Sequence, residues 1–265
     1  MRKQNTGAGN TGGNAAFAAG LLCFFGLWLA GAYLVNSEIV LPAPAAVIKR
    51  FFALVQTAEF YKALGASFAR LMLGLVVSIP PGIILGIAAA TNPLARAFLR
   101  PFFTAIASTP VMSVILIAYL AFGSERTPAF TVFLLVFPVI SSNTIEGIRA
   151  IDPRRRELFT VYRLSRMQRL RHLYLPALRP FLAGALGSAL SLGWKVIVAA
   201  EVLVQPLNAL GTGIQRSKAN LETPELFAWT LAVIIAAAIT TLIPNLYHSD
   251  FGKTERKRDD AHHRN

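Results

Sequence analysis

Lys195 sits nine residues short of the end of an apolar run, Phe181–Val204, in a chain that is 54% hydrophobic and 15% charged. Nine helical residues span roughly 13–14 Å, farther than a lysine stem reaches to escape a bilayer core. An ammonium at that depth costs at least about 2.5–3.5 kcal/mol unless water or a counter-charge meets it. Ser188 and Ser191 fall on the same helical face, at i, i+3 and i+7, and can share hydrogen bonds with it but cannot neutralise it. Glu201, six residues on, lies about 120° around a straight helix, so the two cannot pair within it. Lys195 therefore either faces an aqueous path, where it would favour anions, or pairs with an acid from another span or protomer. Ser108, Thr109 and Ser113 flank Pro110 in another apolar run. Those hydroxyls either face the same path or pack helices through small residues. Glu201 itself ends the string Trp194-x-x-x-x-Ala199-Ala200-Glu201 near a span end, as a gate or as a snorkelling acid.

Other chemistry is missing. No Gly-x-x-x-x-Gly-Lys-[Ser/Thr] string occurs, so the chain carries no phosphate-cradling loop and is not expected to hydrolyse ATP alone. There is no Gly-x-Ser-x-Gly element, and Cys23 is the only cysteine, which excludes internal disulfides and multi-cysteine metal sites. His172, His248, His262 and His263 form no ligand pattern beyond a tail pair that reads as solvated. No metal, cofactor or catalytic role is expected. The net charge of +13 gathers at the chain ends and in one central loop, with no basic stripe interleaved with aromatics, so nucleic acid is not an expected partner.

Six apolar runs must position these residues: Ala15–Val35, Leu71–Ala90, Pro101–Phe122, Pro128–Asn143, Phe181–Val204 and Leu226–Leu246. The small-residue string Ala30-Gly31-Ala32 mimics a cleavage site, but the first run exceeds a signal core and reads as a retained span. Residues 1–14 read as a flexible end, 15–246 as one membrane domain and 247–265 as a charged tail. The segment Asn36–Ser67 contains an interfacial helix with Val47, Ile48, Phe51, Phe52 and Val55 on one face. Pro80-Pro81-Gly82 predicts a bend in the second span, Gly123–Thr127 a tight outer turn, and Gly211 and Gly213 a turn in the segment Gln205–Glu225. The fold class is all-α integral membrane, six spans with both ends inside. Lys49, Arg50 and Lys62 are outer exceptions, partly balanced by Glu38 and Glu59.

The most charged stretch is the loop at about residues 147–179, with nine arginines against Asp152 and Glu157, which the positive-inside rule places in the cytoplasm. Asp152-Pro153 predicts a helix start, and Ser165-Arg166-Met167-Gln168 a capping box that opens a second helix. Pro176 and Pro180 end that helix or kink it into the next span.

These residues resemble the cytoplasmic loop of permease subunits of bacterial ABC importers: Glu-Ala-Ala, a Gly after three intervening residues, an aliphatic residue ten beyond it, and Leu-Pro two further on. Glu157 holds the Glu position, Leu173 the aliphatic one, and Leu175-Pro176 supply the Leu-Pro. Leu158-Phe159 replaces Ala-Ala, and Arg163 stands in place of the Gly, where a left-handed turn would cost a non-glycine residue about 1–2 kcal/mol. The Leu41-Pro42-Ala43-Pro44 lead into an amphipathic helix, and the Trp194 to Glu201 string, are similar to the nitrate, sulfonate and taurine branch. The resemblance implies the type I ABC importer permease fold. It implies coupling to ATPase subunits through Glu157, Leu158, Phe159, Arg163, Ser165, Leu175 and Pro176. It implies a substrate-binding protein outside, a homodimer in the bacterial inner membrane, ATP bound only by the partner subunit, and a pathway for a small anion. Two other classes stay open: a channel or ion-coupled transporter without an ATPase, and a membrane scaffold whose basic loop recruits a soluble partner.

Overall fold

A computed structural model describes residues 9–162 and 165–262, and among them the regular structure is helical. The helices in order are α1 (Gly9–Val35), α2 (Pro44–Val55), α3 (Ala58–Thr91), α4 (Pro93–Ser108), α5 (Val111–Arg149), α6 (Pro153–Val161), α7 (Arg166–Arg169), α8 (Leu175–Val204), α9 (Leu210–Ala219) and α10 (Thr223–His262), with a π-helical turn at Leu170–Tyr174. Among the described residues, five stretches are long and apolar enough to cross a membrane: Ala15–Val35, Ala58–Thr91, Val111–Arg149, Met167–Val204 and Thr223–Leu242. Helix α1 begins at Gly9, inside the stretch expected to be flexible, and α10 continues through the expected tail.

The expected third span is not one helix. Thr109 and Pro110 are both extended, with ψ near 130°, and divide it into α4 and the start of α5. Pro110 has no N–H to continue the ladder, and the residue before a proline is pushed out of the α region. The five-residue outer turn shrinks to Gly123 alone, at φ 71°, ψ 179°, a conformation open to glycine. Around it the two arms of α5 fold back on each other: the Phe122 and Phe130 rings lie 4.6 Å apart, and Val114 and Leu134 line one cavity.

In lipid, burying apolar surface drives little helix association, so close packing and interhelical hydrogen bonds must carry it. The α3–α5 contact is built that way. A Cβ on Gly74 would come within 2.7 Å of Val132, and one on Gly86 within 2.6 Å of Thr144. Ser141 Oγ donates to the Gly82 carbonyl at 3.0 Å, and Ser78 Oγ donates to the Phe133 carbonyl at 3.2 Å. Helix α3 continues through Pro80-Pro81 to Thr91. Helix α1 is held chiefly by Trp28, whose indole stacks on Phe227 at 5.9 Å and donates to the Pro42 carbonyl.

The basic loop folds as its local signals predict. Asp152 Oδ1 accepts from the Arg154 N–H at 2.8 Å and opens α6. The Ser165 N–H donates to Gln168 Oε1 at 2.9 Å while the Gln168 N–H donates to Ser165 Oγ, a reciprocal capping box. Pro176 and Pro180 do not end the second helix. Pro176 falls in the first turn of α8 and Pro180 inside it, and the chain stays helical from Met167 to Val204 through the π turn. In that turn the Leu175 N–H reaches back five residues to the Leu170 carbonyl. Five residues along an α-helix would separate two side chains by about 140°. The wider turn instead brings Leu173 and Leu178 into one apolar cluster with Ile148 and Ile151.

Candidate functional site

Ser188, Ser191 and Lys195 lie on one exposed face of α8, as their spacing predicts. With Gly184, Gly187, Leu192 and Thr241 of α10 they line an open groove of about 560 Å³. The opposite face fixes that orientation: Trp194 is buried, and its Nε1–H donates to Thr240 Oγ1 at 2.8 Å. None of the ion pairs among the described residues includes Lys195. Among the described residues that line it, the groove is polar, with Lys195 as its one cation and no carboxylate.

Ser108 is exposed and Thr109 half-buried, and Thr109 Oγ1 donates back to the Ala105 carbonyl. Thr109 lines a separate apolar cavity of about 330 Å³, so the structure does not put it in the Lys195 groove. The break nevertheless sits at a similar depth. Ile115 packs against Ala200 and Val204, while Glu125, past the Gly123 turn, accepts from the Leu207 N–H. The first arm of α5 and α8 therefore run in the same direction. Five residues back along each, about 7.5 Å, lie Pro110 and Lys195.

Glu201 is not in the groove. It is fully buried, and its carboxylate accepts from Ser67 Oγ at 2.8 Å, the Gly211 N–H at 3.2 Å and Arg70 at 3.3 Å. Arg70 also donates to Glu125 at 2.6 Å and to the Leu207 carbonyl at 2.8 Å, and Ser67 Oγ accepts from the Leu210 N–H. This knot ties α3, α5, α8 and α9 together at one end of the bundle. Gly211 and Gly213 mark no turn; they lie inside α9, where a Cβ would come within 2.5 Å of Glu201 and of Trp229 respectively. Sequence reasoning missed the knot. Its one signal was an arginine and a glutamate near the same ends of two apolar runs.

A second ion network lies on the same side. Arg50 pairs with Glu222 and Glu225, and Arg216 with Glu59 and Glu225. The acids that meet Arg50 thus come from α10 and its approach, while Glu59 meets Arg216. Both guanidiniums are held above their ordinary range, Arg50 first by its hydrogen bond to Glu225 and Arg216 by that to Glu59.

At the other end, the loop residues divide. Glu157 is exposed, Leu158 is 53% exposed, and Ser165 and Pro176 are exposed. Leu175 is also exposed, whereas Phe159 is half-buried and packs on the Ile148, Leu173 and Leu178 cluster. Arg163 lies outside the described residues. Val161, Tyr162 and Met167 add outward apolar surface, each at least 70% exposed.

Over residues 82–249 the chain matches the family described as binding-protein-dependent transport system inner membrane component. It is 25% identical over 221 residues to the taurine transport system permease protein TauC of Escherichia coli (strain K12), covering 81% of this chain and 80% of that one. It is 26% identical to a putative aliphatic sulfonates transport permease protein, SsuC, of Bacillus subtilis (strain 168), covering 78% and 75%. It is 28% identical to the bicarbonate transport system permease protein CmpB of Synechococcus elongatus, covering 67% and 63%. Among solved structures, a chain of a bacterial ABC transporter that imports the acidic polysaccharide alginate superposes with a TM-score of 0.65 at 16% identity, covering 89% of this chain and 96% of that one. At that identity the likeness is one of fold.

Proposed function

This chain belongs to the inner membrane components of binding-protein-dependent transport systems, and from that membership we propose that it is the membrane-spanning subunit of an ATP-driven importer for a small anion such as a sulfonate, nitrate or bicarbonate. Residues 101–122, the second half of α4 with the first arm of α5, make one crossing and the second arm of α5 another, which with the other four spans makes six, both chain ends lying in the cytoplasm. Two copies enclose a path between them. ATPase subunits dock on the outward apolar side chains of α6 and α7, and a substrate-binding protein delivers the anion at the opposite end. ATP is bound by the ATPase subunits alone.

The observation that carries the anion reading is the groove at mid-span with an uncompensated Lys195. Facing lipid it would cost at least about 2.5–3.5 kcal/mol. The Thr109-Pro110 break leaves backbone groups unpaired at a similar depth, and such backbone is tolerated only against protein or water. Both features therefore belong on the inside of an assembly, and Ser188, Ser191, Ser108 and Thr109 supply hydroxyls along it.

Lys195→Met tests this in the assembled complex. Uptake of the transported anion should fall at least tenfold, with the melting temperature of the complex unchanged. Unaffected uptake, or a large loss of stability, would refute the pathway role and point to a structural ion pair between subunits. Purification of the tagged chain from its native membrane should bring an ATPase with it. Recovery without one, in detergents that preserve the fold, would count against the importer reading as a whole.

A further inference from the structure

At the end of the bundle opposite the basic loop, a second cavity of about 470 Å³ opens between α3 and the two arms of α5. Its walls are apolar: Leu73 and Val77 on one side and the rings of Phe122, Phe130 and Phe133 on the other, the first two of those rings 4.6 Å apart and the next pair 6.0 Å apart. From Arg70 to Val77 the slot runs seven residues along α3, roughly 10 Å into the span. Leu73, Val76 and Val77 are exposed around its opening. At its mouth stand Arg70, Glu125 and Arg126.

The three mouth charges are not equivalent. Arg70 is committed to Glu201, Glu125 and two backbone carbonyls, and Glu125 to Arg70 and the Leu207 N–H. Arg126 is exposed and takes part in none of the ion pairs among the described residues. A free guanidinium at the membrane surface, above an aromatic slot that descends into the span, matches one kind of occupant: an anionic oxygen head carried on a hydrocarbon chain.

We propose that this slot holds a structural phospholipid, one acyl chain lying against Phe122, Phe130 and Phe133 and its phosphate on Arg126. The slot shares no lining residue with the Lys195 groove, so the bound lipid is separate from any transported anion. A phospholipid answers both features at once, its chain the apolar walls and its phosphate the Arg126 charge. The lipid would brace α3 against the Gly123 turn, beside the Arg70 knot.

Native mass spectrometry of the full chain, extracted in mild detergent, reads the occupancy directly. The wild type should retain one phospholipid per chain. Arg126→Gln, which removes the charge-assisted contact, and Phe130→Trp, which narrows the slot, should each reduce retention by about tenfold. Arg100→Gln, on α4 and away from the slot, should not change it. A melting curve for each variant shows that it is folded, and added phospholipid should raise the wild-type melting temperature but not that of Phe130→Trp. Equal retention in all folded variants overturns the proposal. A disulfide between two copies through Leu73→Cys, in a chain with Cys23 replaced, overturns it in favour of a second copy as the cover.

Discussion

The two ends of this bundle treat charge in opposite ways. At one end the carboxylate of Glu201 is fully buried, yet Ser67, Arg70 and Gly211 all donate to it, and the remaining donors of Arg70 are taken by Glu125 and the 207–208 backbone. At the other end Glu157 is exposed, most of the loop arginines whose burial is described face solvent, and Val161, Tyr162 and Met167 are each at least 70% exposed. Around Glu201 the chain answers its own charge. Along the basic loop the charged and apolar side chains are left to solvent.

The comparison breaks most sharply at Glu201. Replacing it with Ala should destabilise the fold by about 3–5 kcal/mol, the usual cost of removing one partner from a buried pair. Thermal unfolding of the purified chain reads this, and a melting temperature within a degree of wild type would show that the knot does not stabilise the fold. Glu201→Gln should cost less, since the amide can still accept from Ser67 and the Gly211 N–H.

Leu158→Asp and Tyr162→Asp probe the basic loop. Because both side chains are largely exposed, stability should move by less than about 1 kcal/mol. ATPase recovery in pull-down should fall severalfold while the permease still inserts. Lost insertion would make these residues part of the fold, and an ATPase retained at wild-type level would place its docking surface elsewhere. Phe159→Asp, in contrast, should destabilise, because its ring packs on the Leu173 cluster.

The smallest effect is expected at the ion pair of Arg216 with Glu59, which is about half exposed on both sides. Glu59→Gln should cost less than about 1 kcal/mol, and less still in high salt. A loss as large as that of Glu201→Ala would mean that surface and buried charge are not distinguished in this protein.

What could be read from sequence followed from how local each rule is. The Asp152 cap and the Ser165–Gln168 box involve groups within three residues, so they were legible before any fold was known. The shared face of Ser188, Ser191 and Lys195 follows from helical period alone. The knot joins residues more than 130 positions apart, and no periodicity announces which arginine will find which glutamate. Pro110 was visible, but whether a proline bends a span or divides it depends on what packs beside it. The nine-residue α6 has too short a pattern to say which side meets the protein, so the packing of Phe159 on the Leu173 cluster was not legible.

The π turn at Leu170–Tyr174 has a consequence for chain length. It houses one residue more than an α turn over the same rise, as a single insertion into a regular helix would leave behind. Removing one residue anywhere in 175–194 would turn the Lys195 stripe by about 100° relative to the basic loop. Removing one from 170–174 would return the turn to ordinary α geometry and leave both flanks facing as they do now. Relatives of this chain can therefore gain or lose a residue there without re-aiming the groove, whereas the same change higher in α8 has to be matched by another of opposite sign.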